Sequence, residues 1–263
     1  MQKKFKIVSF DGISGTGKSQ IMRWMMGYFR RMASINVAGF SENLIAPERE
    51  HLAGRVEALR LTGGEGSELK EDMEFAAIAS SDRAYISRTF IPLLSRQTDV
   101  QLLFMDRWIP TNMAYQSLNG LTPDEIYRMH KDKGVIEPDL YVILTCPVEI
   151  AVRRVDCRTT KKARGVAGKM SSVVSGGTVD IQASFEKKKR IQEMFFRVPD
   201  ILGPDRCVIF DTDKPFDRIV QELVPVICEK LFGYNPAHSP HFLERLDEID
   251  FLEYPWDNMV ISG

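Results

Sequence analysis

The sequence predicts an α/β fold, a parallel five-stranded sheet flanked by helices, on the strength of three observations. Short apolar runs rich in Val, Ile, Leu and Phe recur between longer stretches of helical periodicity. These runs are continuous instead of alternating with polar residues, as strands buried on both faces require. Strand and helix signals also take turns along the chain, the order that parallel crossovers impose.

The strands are read at Lys6–Phe10, Ile35–Phe40, Val100–Met105, Leu140–Thr145 and Cys207–Phe210. Helical periodicity fills Lys18–Met32, Glu48–Leu61, Glu71–Leu94, Val148–Arg158, Asp180–Arg197 and Lys214–Leu231. Thr62–Ser67, with three glycines, reads as a loop between helices. Thr159–Thr178 mixes basic residues with Gly, Ser and small apolar residues and is read as a mobile lid, with bounds near 158–183. The main domain then spans 1–232. An extension, 233–263, carries Pro236, Pro240 and Pro255 among acidic and aromatic residues and is expected to pack on the domain or on a partner subunit.

Composition narrows the function. Of 263 residues, 44% are hydrophobic and 27% charged, the balance of an ordinary globular chain. A formal net charge of -1 speaks against binding nucleic acid by bulk electrostatics and leaves a local basic groove open. Cys146, Cys157, Cys207 and Cys228 are widely spaced, as reduced thiols in a cytosolic protein are. His238 and His241 lack further ligands nearby and are read as tail residues. Strand signals begin almost at Met1 and no apolar run is long enough to cross a bilayer, so the expectation is a cytoplasmic protein without a membrane partner.

The chemistry starts at Gly12-Ile13-Ser14-Gly15-Thr16-Gly17-Lys18-Ser19, which follows an apolar strand and opens a helix. The glycines permit backbone conformations in which successive N–H groups point inward, and the helix adds its positive end. Gly12, Ser14, Gly15, Thr16, Gly17, Lys18 and Ser19 are therefore expected to cradle the phosphates of ATP. Lys18 would bridge the β- and γ-phosphates, and the Ser19 hydroxyl would join a magnesium shell. A second strand end, Leu103-Phe104-Met105-Asp106-Arg107-Trp108, sets a carboxylate beside a guanidinium. Two readings stand for the pair: a helix cap beside a solvated charge, or a magnesium-directed carboxylate beside a phosphate-binding arginine.

Asp106-Arg107-Trp108 followed by Ala114-Tyr115-Gln116 resembles the Asp-Arg-aromatic and Ala-Tyr-Gln pattern of the thymidylate kinase family. Phe10-Asp11-Gly12 is similar to the family's Phe-Glu-Gly, and Pro47-Glu48-Arg49, Ser81-Asp82-Arg83, Pro138-Asp139-Leu140 and Phe185-Glu186-Lys187 extend the likeness over about residues 5–232. The resemblance implies an ATP- and magnesium-dependent kinase, active as a homodimer, that phosphorylates dTMP to dTDP. It places Lys18, Asp106, Arg107 and a lid arginine, Arg158 or Arg164, at the transferred phosphoryl group. Ser19 and Asp106 would serve the metal. Arg49 and Arg107 would hold the acceptor phosphate, and Arg83, Tyr115 and Gln116 its base and sugar. For Arg153 and Arg154 a solvated helix face and a nucleotide contact remain equal readings. Tyr115 is read equally as a core residue and as a base contact.

Two positions depart from the family pattern. Ser14 stands where the family usually has an acidic or otherwise sugar-contacting residue, and Ala79 where an aromatic ring stacks on thymine. Phe75, one turn earlier, is the nearest ring on that face. A wider acceptor site leaves other acceptors open: a deoxynucleoside, a modified pyrimidine nucleotide, or DNA carrying one. A non-catalytic nucleotide-binding module is the remaining alternative.

Overall fold

The computed structural model describes residues 5–31, 33–41, 67–165 and 181–238. Five parallel strands, β1 (Lys6–Asp11), β2 (Val37–Ser41), β3 (Leu102–Asp106), β4 (Leu140–Thr145) and β5 (Cys207–Asp211), lie in the order β2-β3-β1-β4-β5. Every residue of β3 and β4 is buried, which accounts for their unbroken apolar character. Phe10 pairs with Asp106 and Asp11 with Ile143, so the carboxyl ends of β1, β3 and β4 form one edge.

Side chains alternate across the sheet. Val8, Phe10, Phe104, Val142 and Leu144 pack against α1 (Lys18–Arg31) and α8 (Phe216–Phe232) on one face. Ile7, Leu103, Met105, Tyr141 and Ile143 pack on the other against α2 (Ser67–Tyr85), α3 (Ile91–Gln97), α4 (Ile109–Gln116), α5 (Pro123–Asp132), α6 (Val148–Gly165) and α7 (Ile181–Leu202). The end of α1 is tied to the sheet by Arg30, whose Nε and Nη2 donate to Val37 O at 3.0 and 2.5 Å.

The helix expected at Glu48–Leu61 lies outside the described residues, as does the tail from residue 239. The helix expected over Glu71–Leu94 is instead three pieces: α2, a π turn at Ile86–Phe90, and α3. Pro92 has no N–H for the carbonyl one turn back, so the regular ladder cannot continue through it. Helices α4 and α5 fall where none was expected. Helix α6 runs past Arg158 to Gly165, so the expected lid begins within a helix; residues 166–180 lie outside the description.

Candidate active site

The loop between β1 and α1 is fixed by glycine at two close approaches. A Cβ on Gly12 would stand 2.2 Å from Leu144 O, and one on Gly15 would stand 2.2 Å from Ala151 O. Their φ angles of 134° and 102° are also left-handed values that side chains disfavour. Thr16, fully buried, turns its hydroxyl inward to donate to Ile13 O at 3.0 Å. Lys18 folds over the loop, its Nζ donating to Gly12 O at 2.9 Å and Ile13 O at 2.8 Å.

Facing the loop, β3 ends on Asp106. Its Oδ2 accepts from Ser19 Oγ at 2.8 Å, while its buried Oδ1 has no hydrogen-bond partner. A carboxylate oxygen held dry and unsatisfied costs free energy unless a cation or donor meets it. Among the described residues no group of three His, Cys, Asp or Glu side chains is placed to hold a metal. The donor set present is therefore a hydroxyl and a carboxylate, which suits a hard cation that takes its remaining ligands from phosphate and water.

Arg107 follows with φ of 72°, a left-handed conformation for a residue with a side chain. Its N–H donates to Phe10 O at 2.9 Å. The guanidinium reaches Ser14 Oγ (3.2 Å) and Gly12 O (3.4 Å) and lies 5.7 Å from the centroid of the Tyr115 ring. Tyr115 in turn meets Phe195 edge-on at 6.4 Å, so it serves both packing and the arginine.

The turn is held by a residue to which the sequence reading gave no role. Asp11 is fully buried, and its Oδ1 accepts from Trp108 N (2.9 Å), Thr111 N (3.0 Å) and Thr111 Oγ1 (2.7 Å). Its Oδ2 accepts from Ser9 Oγ at 2.8 Å. A carboxylate from β1 thus caps α4 at its N-terminus, where the helix dipole favours negative charge.

A cavity of about 940 Å³ joins Ser14, Gly15, Lys18 and Ser19 to Asp106 and Arg107. Arg23, Arg153, Arg154 and Cys157 also line it. Arg153 and Arg154 of α6 therefore both face the cavity, and Arg154 Nη2 also donates to Thr212 O at 3.0 Å. Arg158 and Arg164 lie on α6 with side chains outside the described part, and Arg49 lies outside the described residues altogether.

Arg83 and Gln116 do not line this cavity. Arg83 is 2% exposed, with its guanidinium carbon 5.6 Å from the centroid of the Trp108 ring. Gln116 Oε1 accepts from Asn112 Nδ2, one turn earlier on α4. Asn112 is itself 3% exposed, and its Oδ1 has no partner. The reading from sequence missed it because α4 was not recognised; on a helix, the four-residue spacing from Gln116 would have singled it out.

A glycine-rich cradle between β1 and α1, opposite a strand-end Asp-Arg pair, defines a P-loop nucleotide kinase. Within that class the chain belongs to the thymidylate kinase family, whose family model, "Thymidylate kinase", matches residues 10–223. It is 27% identical over 213 residues to a thymidylate kinase of Akkermansia muciniphila, covering 77% of this chain and 97% of that one. With a thymidylate kinase of Caulobacter vibrioides it shares 25% over 228 residues, covering 85% and 96%. A probable thymidylate kinase of Thermococcus gammatolerans is 22% identical over 232 residues, covering 86% and 97%. Kinases of this family use ATP with magnesium.

Proposed function

We propose that the chain transfers the γ-phosphoryl group of ATP to dTMP, giving dTDP and ADP. The observation that carries this reading is the single cavity in which Lys18, Ser19 and Asp106 face Arg107. Phosphoryl transfer asks a protein mainly for in-line alignment and charge neutralisation, and this wall supplies both. Among the described residues, five cations, Lys18, Arg23, Arg107, Arg153 and Arg154, face one carboxylate, Asp106. That excess suits two phosphate-bearing ligands better than ATP with an uncharged nucleoside.

In this reading the loop N–H groups hold the β-phosphate, and Lys18 exchanges its loop carbonyls for the β- and γ-phosphates. Ser19 and Asp106 hold magnesium, which when bound screens the phosphate charge. Arg107, propped on Ser14 and Tyr115, fixes the acceptor phosphate in line. Arg49 shares that phosphate, and Arg158 or Arg164 closes over the transferring group.

Base choice falls to Arg83 and Asn112. Arg83 offers only donors and Asn112 Oδ1 only an acceptor, the complement of a pyrimidine with a carbonyl at C4 and a proton on N3. Cytosine presents the reverse at both positions. Tyr115 and Gln116 border the sugar side. Ala79, half-buried where the family pattern has a ring, favours a base site roomier than usual and supports a second reading with a modified pyrimidine monophosphate. A homodimer and a cytoplasmic setting belong to the proposal through the family, not through any contact described above.

The test is an acceptor panel with ATP and magnesium, spanning nucleosides, monophosphates, modified pyrimidine monophosphates and modified DNA. dTMP is expected to be turned over, and Arg107→Ala to lower kcat/KM for it by about 100-fold or more while ATP binding persists. No turnover of any monophosphate would overturn the assignment.

A further inference from the structure

Helix α2 carries Arg83 but is poorly equipped to fix it. The hydroxyls of Ser80 and Ser81 both fold back onto Ala77 O, each at 2.9 Å, a bonding pattern that loosens and bends helices. Two residues beyond Arg83 the helix gives way to the π turn at Ile86–Phe90.

Support arrives from the short connection between α5 and β4. Lys133 Nζ donates to Ala77 O at 2.9 Å and to Ser80 Oγ and Ser81 Oγ at 2.8 Å each. An ammonium has three N–H donors, so α2 takes all of them. Three residues further on, Ile136 N donates to Ser87 Oγ at 2.9 Å, and Ser87 Oγ donates to Arg83 O at 2.7 Å. Ile136 O accepts from Trp108 Nε1 at 2.9 Å, and the Trp108 ring carries the Arg83 guanidinium. Residues 133–136 therefore hold α2 before Arg83, the π turn after it, and the Trp108 ring that its guanidinium meets.

We propose that Lys133 is a positioning residue for acceptor recognition, acting by holding the Ala77–Ser81 turn so that Arg83 meets the acceptor base at a fixed place. This rests on the reading of Arg83 given above. Lys133 contacts neither the phosphate loop nor Asp106 and Arg107 through any of these bonds, so its effect falls on one substrate alone. A bare structural staple would instead lower stability and leave the ratio of the two KM values unchanged.

The experiment is steady-state kinetics of the full chain with ATP, magnesium and dTMP, varying each substrate in turn. Lys133→Met is expected to raise the KM for dTMP by about tenfold, the scale of one charge-assisted hydrogen bond, with kcat and the KM for ATP within about twofold. The double variant Ser80→Ala/Ser81→Ala removes two of the bonds from the α2 side and is expected to raise the same KM by a smaller factor. Adding it to Lys133→Met is expected to give no further rise, as partners in one network do. If Lys133→Met melts below the assay temperature, the serine double variant decides alone. An unchanged KM for dTMP, or equal rises for both substrates, overturns the proposal. Arg83→Met separates the layers. If it leaves the KM for dTMP unchanged, the acceptor reading of Arg83 falls and the brace with it; if it raises that KM while Lys133→Met does not, only the brace falls.

Discussion

Asn112 is the residue at which burial speaks most directly about a ligand. An amide 3% exposed, with its nitrogen on Gln116 and its oxygen unsatisfied, sits at a cost that a bound N–H would remove. Asn112→Ala is therefore expected to raise the KM for a thymine or uracil monophosphate by about tenfold, and that for a cytosine monophosphate by less. Competition between the two acceptors at equal concentration reads this out; unchanged preference would remove Asn112 from base recognition. Ser14 gains a definite task at the same scale. Its hydroxyl accepts from Arg107, so the position works here by holding the arginine proposed to bind the acceptor phosphate.

Among elements, α4 is the one whose placement the proposed chemistry depends on, because it begins two residues after Arg107 and carries Asn112, Tyr115 and Gln116. Trp108, at its N-cap, makes no side-chain cap, and Asp11 supplies the missing acceptor from β1. Asp11→Ala would leave the Trp108 and Thr111 N–H groups buried without a partner, at a cost of about 1–3 kcal/mol. Activity is expected to fall further than stability alone explains, with kcat reduced about tenfold or more under conditions where the variant stays folded. Urea midpoints paired with kcat check this; Asp11→Asn, which keeps one acceptor oxygen, should be milder on both. The sequence announced some elements and hid others for physical reasons. Strands β3 and β4 were legible because burial of every residue leaves unbroken apolar runs, while β1 keeps Ser9 inside its run and the partly exposed edge strands β2 and β5 were legible as short apolar runs between helices. Helix α5 was also announced, since Thr122-Pro123-Asp124-Glu125 is a capping box with proline at the first helical position, yet it was passed over. The short α4 was not legible, because its cap comes from a residue nearly a hundred positions earlier. In the site, the cradle and the Asp-Arg pair could be read locally. Asp11 and Arg154 owe their places to contacts between elements, which spacing along the chain does not encode.

At the scale of the molecule, the sheet separates two kinds of packing. One face, under α1 and α8, packs through a cluster of apolar side chains that includes Val8, Phe10, Phe104 and Val142. The other carries a layer of buried polar groups between the helices, with His130, Arg83 and Lys133 close together. His130 is fully buried and its Nδ1 lies 2.8 Å from Ile126 O. Burial first, and the nearby charge of Arg83 second, lower its pKa from 6.5 to about 3. The native state thus refuses a proton that the unfolded chain accepts below about 6.5, so this contribution to stability is complete above that pH and is lost as the pH falls toward 3. His130→Asn keeps a donor for Ile126 O without titrating. Its stability deficit relative to wild type is expected to shrink by about 2 kcal/mol between pH 6.5 and pH 5, measured by urea unfolding at both. A constant deficit would mean that His130 does not stay neutral in the native state.

The left-handed backbone at Arg107 has a bearing on how this protein tolerates change. A residue with a side chain pays about 1 kcal/mol or more to stand there, and glycine would pay almost nothing. At the position its proposed reaction uses most, the chain is therefore held above its own conformational minimum, and the substitution that would relax the backbone is the one that removes the guanidinium. Selection for stability alone would drift toward glycine at 107, which would leave the fold in place and, on the proposed reaction, remove the group that holds the second substrate.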